Sequence, residues 1–514
     1  MWHLINRSVR LIRLLLGFRA MSQSQDPQQQ QRARQAVLQQ FADARGVTMK
    51  VGQLIAAASE VDDVLSPLIT SIEPMPLKQI LPQIEASLGC RWSKVFHSID
   101  ESRAAASLGQ VHHAQLLNGE QVAIKVQYPN IRDAIEAEMK LLGLMPKAGP
   151  VKQWDVDLDA YRQMLKQNME TELDYRHEAA TQQFFYQHLN LPLVIVPRVY
   201  SELSDEKLLV QSWQQGDFLE QAAHWPQKQR EQIARTLLSL LIRSLFQTRQ
   251  LHADPHMGNS YFRYRDDDSG DIEMVLMDYG CSIELSEQQS MALLKLMLSI
   301  REKTSGMPIS HFVAMGFDVE KLSRIEAYLP RLCLYLFEPF IDDDKFQLAT
   351  WQPGKKIAEL LGEQRWWFRS AGPAKLIFIM RAFQGFVQQL QTLKVDINWW
   401  QVMSETLPES LLETARKFPL PVVRGGQAVE INALAKTLKV KITRHDNKKT
   451  EVNLPAEAVL ELEQFIPEEI KLKLSQTGDI DLQQILTRVR ESGIAAQTVF
   501  DYEDDNKHYQ VWLE

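Results

Sequence analysis

Asp254 stands five positions before Asn259 in the run His252-Ala253-Asp254-Pro255-His256-Met257-Gly258-Asn259, and Asp278-Tyr279-Gly280 follows after an acidic turn. This ordered set constrains the fold more than any other feature of the chain. Phosphoryl transfer demands a carboxylate beside the attacking hydroxyl or water, and oxygen ligands for the Mg²⁺ ions that bridge nucleotide phosphates. Asp254 suits the first role, while Asn259 and Asp278 suit the second. A fold that uses all three must carry a loop and the end of a later strand to one place.

Upstream, Val122-Ala123-Ile124-Lys125 has the form of a strand whose Lys meets phosphates and pairs with a helical Glu. Taken singly these motifs are ordinary: the first is more often a buried strand with one exposed Lys, and Asp-x-Gly is nearly always a turn. Their order and context give them weight. Val111–Leu116, the Asn118-Gly119 turn and Gln121–Gln127 read as a hairpin that puts Lys125 on a small antiparallel sheet. Helices are expected over about 131–190, with strands near Leu193–Val199 and Leu208–Trp213 and a hinge at Gln214-Gln215-Gly216. A long amphipathic helix over 226–250 then feeds the loop, and Tyr261–Tyr264 with Ile272–Met277 form the hairpin that delivers Asp278. Ser286-Glu287-Gln288-Gln289 reads as a capping box six residues after Gly280. That leaves no room for a long peptide-docking segment, and no Ala-Pro-Glu follows. Weight therefore moves toward a small or lipid substrate, or toward hydrolysis.

The chain has 514 residues with a net charge of −8, which argues against a nucleic-acid binder that relies on overall charge. Cys90, Cys281 and Cys333 lie far apart, so neither a disulfide framework nor a zinc site is expected, and a reducing, cytoplasmic setting fits. No apolar run reaches 18 residues; the stretch Leu376–Phe386 is short and interrupted by Arg381. At the N-terminus, apolar residues interleave with Arg7, Arg10, Arg13 and Arg19, and no acidic residue precedes Asp26. Residues 1–21 thus suit a basic amphipathic helix lying on a membrane. A mitochondrial-type targeting segment has the same composition, and a helix docked on its own domain is the plainer reading.

Composition shifts divide the chain into five parts. Residues 1–33 are the basic N-terminus and a polar linker, 34–95 a helical extension, 96–213 a strand-rich lobe, 214–418 a helical lobe, and 427–514 a separate α+β module. In the last, hairpins are expected at Val440–Arg444/Thr450–Leu454 and Val499–Tyr502/His508–Trp512, with helices near 456–474 and 480–492.

These residues resemble the UbiB (AarF-type) atypical kinases linked to ubiquinone biosynthesis. Lys50-Val51-Gly52-Gln53 resembles that family's Lys-x-Gly-Gln signature, Ala104-Ala105-Ala106-Ser107 its alanine-rich loop, and Glu172-Leu173-Asp174 its Glu-x-Asp motif, with Glu178 as the helical partner of Lys125. Met257 replaces a Pro of the family's catalytic run, and Gln211-Ser212 stands where Met-Glu is usual at the hinge. The resemblance covers about residues 40–410. It implies an α+β, protein-kinase-like two-lobed fold with the helical extension laid over the cleft, so that Lys50 meets Glu172 near the phosphates. It also implies binding of ATP or ADP with Mg²⁺ and weak ATPase activity. Ala104, Ala105, Ala106 and Ser107 would handle the phosphates, and the backbone at Ser212 and Trp213 the base. Alanines cannot take the positive-φ conformations of a glycine loop, which points to altered nucleotide handling in its own right.

The expected activity is that of a Mg-nucleotide-dependent ATPase or phosphotransferase serving isoprenoid-quinone or other lipid metabolism. Its site residues are Asp254, Lys125, Glu178, Lys50 and Glu172, with Asn259 and Asp278 on the metal. The alternative is a nucleotide-switched pseudokinase scaffold for membrane lipid enzymes. The complete set of catalytic residue types weighs against it.

Overall fold

The structure, a computed structural model, describes residues 74–102, 104–105, 108–133, 135–136, 157–254, 256–267, 269–304, 306–423, 434–444, 449–462, 466, 482–503 and 507–514. Residues 1–73, including Lys50, and Ala106 and Ser107 lie outside that set. The chain forms two compact units, one up to Leu285 together with Ala374–Val395, the other Ser286–Pro373 with Asp396–Glu514.

In the first unit, helix α1 (Leu77–Leu88) precedes strands β1 (Phe96–Ile99), β2 (Ala104–Ala105), β3 (Gly109–Leu116) and β4 (Gln121–Gln127). The helix ends on Gly89 at φ 66°, a left-handed cap that glycine adopts without Cβ strain. Helices α2 (Leu158–Glu172) and α3 (Tyr175–His188) follow, then the strands β5 (Val194–Ile195) and β6 (Leu208–Ser212). The antiparallel sheet runs β1-β3-β4-β6, with β2 added on β3. The expected hairpin is present: Gly119 takes φ 92° and the β3–β4 register sets Val111 opposite Lys125. The strand expected over 193–199 shortens to Val194–Ile195, which pairs with Met274 and Val275 of a later hairpin strand, while Val199 makes an isolated bridge to Gln211.

One face of this sheet is apolar. Ile80 and Ile84 of α1 are fully buried against it, in a cluster with Phe96, Ile124, Val126 and Val210. Each such side chain contributes about 2 kcal/mol by leaving water. β3 and β4 approach closely at Gly109, where a Cβ would lie 2.2 Å from the Val126 carbonyl oxygen and 2.7 Å from the Tyr175 hydroxyl. Backbone cannot yield as a flexible side chain can. Gly109→Ala is therefore expected to destabilise the protein by about 2 kcal/mol, measured as a lowered urea midpoint at constant slope.

Helix α4 (Gln227–Phe246) delivers the chain to β7 (Gln250–His252). The hairpin β8 (Ser260–Tyr264)/β9 (Ile272–Leu276) then leads to β10 (Ser282–Glu284), which returns to pair with β7 in the register Ser282↔His252. Helix α5 (Leu376–Leu393) rejoins this unit after a long excursion; its Phe378 packs with Ala253, Cys281 and Ile283.

In the second unit, Ser286 caps helix Glu287–Glu302 in a capping box with Gln289, as its sequence indicates. The strands β11 (Thr437–Arg444), β12 (Lys449–Pro455), β13 (Gln497–Glu503) and β14 (Lys507–Leu513) form one sheet in the order β12-β11-β14-β13. The two expected hairpins are thus halves of a single sheet, joined by β11–β14 pairing. The helix expected over 456–474 starts instead as a 3₁₀ segment, Ala456–Glu461; residues 467–481 lie outside the described set. Arg331, almost wholly buried, ties the helices of this unit to its sheet by donating to Glu457 Oε1 (3.1 Å) and to the carbonyls of Ala435 and Ile494.

Candidate active site

Lys125 projects from the middle of β4, flanked by β3 and β6. Its Nζ donates to Glu178 Oε1 and Oε2 at 2.6 and 2.9 Å and to Asp278 Oδ1 at 3.2 Å. The side chains of Lys125 and Glu178 are 14% and 5% exposed, so this ion pair is sheltered from bulk water. Burial works to lower the pKa of Lys125, but Asp278 and Glu178 hold it well above the usual lysine value. Burial pushes Glu178 up; Lys125 opposes that rise and Asp278 adds to it. One ammonium thus bridges two carboxylates, one from a helix and one from the Asp-x-Gly turn.

The local sequence explains how Glu178 arrives there. Leu173 is buried, Asp174 caps α3 by accepting from the Arg176 N–H, and Glu178 comes one turn into the helix. Glu172 ends α2, buried, and accepts from Asn168 Nδ2 at 2.9 Å. Its charge is felt by both Glu178 and Arg381. Glu172 and Glu178 therefore belong to different helices and still bear on one site.

Asp278 takes φ 57°, an uncommon conformation for a residue with a side chain. Two neighbours fix it. His252 Nε2–H donates to the Asp278 carbonyl at 2.7 Å, and the buried Tyr279 ring packs on Phe185 and His252 while its hydroxyl donates to the Leu276 carbonyl. Gly280 leaves room for both acids; a Cβ there would lie 3.3 Å from Asp278 Oδ1 and 3.4 Å from Glu178 Oε2.

The loop from His252 to Asn259 closes on itself. Asn259 Nδ2 donates to the Asp254 carbonyl at 2.9 Å, and the Asn259 carbonyl accepts from Met277 N–H, one residue before Asp278. The Asp254 carboxylate meets Arg381 Nη2 of α5 at 2.5 Å, with both side chains largely buried. Burial would lower the pKa of Arg381, but Asp254, Cys281 and Glu172 raise it above the ordinary arginine value. Arg381 is a residue of the candidate site that sequence reasoning missed. A signal was present, since it is the only charged residue in Leu376–Leu393 and buried charges need partners. Its partner lies 127 positions away.

The structure brings Lys125, Glu178, Asp278, Asn259, Asp254 and Glu172 into one region of the first unit. Ala104 and Ala105 pair with Val111 and Gln110, next to the β3–β4 ladder. At the hinge, Ser212 N–H donates to the Arg198 carbonyl and Trp213 N–H to the Gln121 carbonyl. Both amides are therefore engaged within the sheet, leaving the carbonyls and later amides for a base. Lys50, Ala106 and Ser107 fall outside the described residues.

The donors fit a metal bound together with a nucleotide. Asp278 and Asn259 offer the hard carboxylate and amide oxygens that Mg²⁺ takes alongside water and phosphate oxygens. Among the described residues no group of three His, Cys, Asp or Glu could cage an ion alone.

A strand-borne Lys gripped by a helical Glu, above a loop and Asp-x-Gly turn zipped together by β7 and β10, defines a protein-kinase-like α+β fold. Residues 67–306 match the ABC1 atypical kinase-like domain. The chain carries this domain and is related to the UbiB/AarF and COQ8 atypical kinases. It is 30% identical over 246 residues to "Atypical kinase coq-8, mitochondrial" of Caenorhabditis elegans, covering 46% of this chain and 32% of that one. It is 26% identical over 319 residues to "Atypical kinase COQ8, mitochondrial" of Saccharomyces cerevisiae, covering 60% and 62% respectively. The chain thus spans less than two thirds of these relatives' own length. A solved complex of Rv3197 with erythromycin from Mycobacterium tuberculosis aligns with 76% of this chain and 97% of its own, at 22% identity and a TM-score of 0.48.

Proposed function

We propose that this chain is a Mg-nucleotide-dependent atypical kinase or ATPase serving isoprenoid-quinone or other lipid metabolism. The observation that carries the reading is Lys125 held between Glu178 and Asp278. In this reading Asp254 orients the attacking hydroxyl or water and takes its proton at a carboxylate oxygen. Arg381 positions that carboxylate. Lys125, kept protonated and aimed by Glu178, neutralises phosphate charge; Asn259 and Asp278 supply oxygen ligands. Mg²⁺ held by these residues would offset the negative charge that develops on the phosphates. The same reading assigns catalytic roles to Lys50 and Glu172, phosphate handling to Ala104, Ala105, Ala106 and Ser107, and base recognition to Ser212 and Trp213. Residues 1–21 supply a peripheral membrane contact.

Thermal shift with ATP, ADP and GTP, with and without Mg²⁺, followed by phosphate release, tests this. The wild type is expected to melt higher only with nucleotide and Mg²⁺ together. Asp278→Asn is expected to weaken the Mg²⁺-dependent part at least about tenfold, the scale of one charged ligand lost. Unchanged Mg²⁺-dependent binding in that variant would refute the metal assignment.

A further inference from the structure

Gln110 and His112 face away from the site. Val111 lies opposite Lys125, so its two neighbours project from the other side of the sheet, the side covered by α1. Both are fully buried. Gln110 Oε1 accepts the Met75 N–H at 2.7 Å, while its Nε2 donates to the Met75 carbonyl at 2.8 Å and lies 2.9 Å from His112 Nε2. His112 Nδ1 lies 2.8 Å from the Asp100 carbonyl. A carbonyl only accepts, so Nδ1 carries the ring proton and Nε2 accepts from Gln110. Glu101 Oε2 captures the Leu77 N–H at 2.9 Å. Pro74 and Pro76 have no N–H, so both amide donors of residues 74–77 are clamped to the back of the sheet.

We propose that Gln110 is a positioning residue for the nucleotide site, and that the Gln110–His112 pair is a latch through which the segment Pro74–Leu77 sets the placement of β3. The proposal rests on the nucleotide-binding reading above. Gln110 pairs in register with Ala105 and Val126, and Gly109 beside it lies beneath the Tyr175 hydroxyl. The Tyr175 ring centroid is 5.3 Å from Lys125 Nζ. A shift of Met75 is therefore felt at the alanine strand and at Lys125 together.

The latch tolerates one protonation state. A proton on His112 Nε2 would set donor against donor at Gln110. Turning the amide over would repair that contact and break both of its bonds to Met75. Burial lowers the pKa of His112, while the Asp100 carbonyl and the charge of Glu101 pull it up. On β4 the neutral Ile124 stands opposite His112, and the nearby Asp100 carboxylate is engaged by His113 Nδ1 at 2.8 Å. The neutral ring is the fitting form and its pKa is depressed, so the latch is intact above the ordinary value of 6.5 and opens as pH falls through the lowered one.

The test is hydrogen exchange of the full chain at Met75, corrected for intrinsic rates, across neutral to acidic pH, with Mg-ADP affinity measured on the same samples. Protection in the wild type is expected to fall with pH. Gln110→Leu is expected to exchange about tenfold faster at neutral pH, the scale of one to two lost hydrogen bonds, and to bind Mg-ADP several-fold more weakly. His112→Gln keeps a donor and an acceptor without titrating, so it is expected to retain protection and lose the pH dependence. Unchanged exchange in Gln110→Leu, or a wild-type pH dependence in His112→Gln, overturns the latch. Faster exchange with undiminished Mg-ADP affinity overturns the positioning role. A wild type that binds no nucleotide overturns the site reading, while the exchange data still judge the latch.

Discussion

Lys125→Met is expected to lower the stability of the protein by about 3 kcal/mol and to abolish measurable Mg-nucleotide binding. The size follows from what the substitution leaves behind. Glu178 is 5% exposed and next to Asp278, so removing the ammonium abandons a charge in a poorly solvated place. A second variant separates this from loss of packing. Lys125→Met with Glu178→Leu removes both charges and is expected to recover most of the stability but none of the binding, a coupling that a double-mutant cycle in urea measures directly. A double variant no more stable than the single one would mean that the pair is less sheltered than its geometry indicates. The pH dependence runs the same way. Lys125 has its pKa raised in the fold, so its contribution is full below the ordinary 10.5 and is lost as pH climbs through the raised value.

Arg381→Met is expected to cut phosphate release by roughly a hundredfold, with a smaller effect on nucleotide affinity. Arg381 touches the Asp254 carboxylate and sits on none of the elements that carry Lys125 or Asp278. Its loss should therefore appear in kcat more than in KM. Removing a cation also makes a neighbouring carboxylate easier to protonate, so the acidic limb of the rate profile is expected to move to higher pH. Arg381→Lys keeps the charge and restores part of the rate, though one ammonium does not reproduce the guanidinium's planar geometry. Equal loss in the Lys and Met variants, with an unmoved profile, would assign Arg381 to packing alone.

The candidate site was legible in the sequence because its motifs are local. Asp254 and Asn259 lie on one loop, Asp278 at the end of the next hairpin, and Lys125 on a strand declared by Asn118-Gly119. The pairing of Lys125 with Glu178 was legible only through the family resemblance. Glu172 and Glu178 stand six positions apart; the first helix stops at Leu173 and Asp174 caps a second one that carries Glu178. The short β5, the 3₁₀ start at Ala456 and the single four-stranded sheet of the second unit were not legible. Each depends on partners distant in sequence.

By itself, then, the sequence determined which residue types carry the chemistry and the order in which local elements present them, because caps, turns and strand alternation act over a few residues. Tertiary structure alone decided that Arg381 grips Asp254 and that Gln110 and His112 clamp Met75 behind Lys125. Those contacts join residues 127 and 35 positions apart. Burial made them matter, since a charge or amide removed from water must find its partner wherever the fold has brought one.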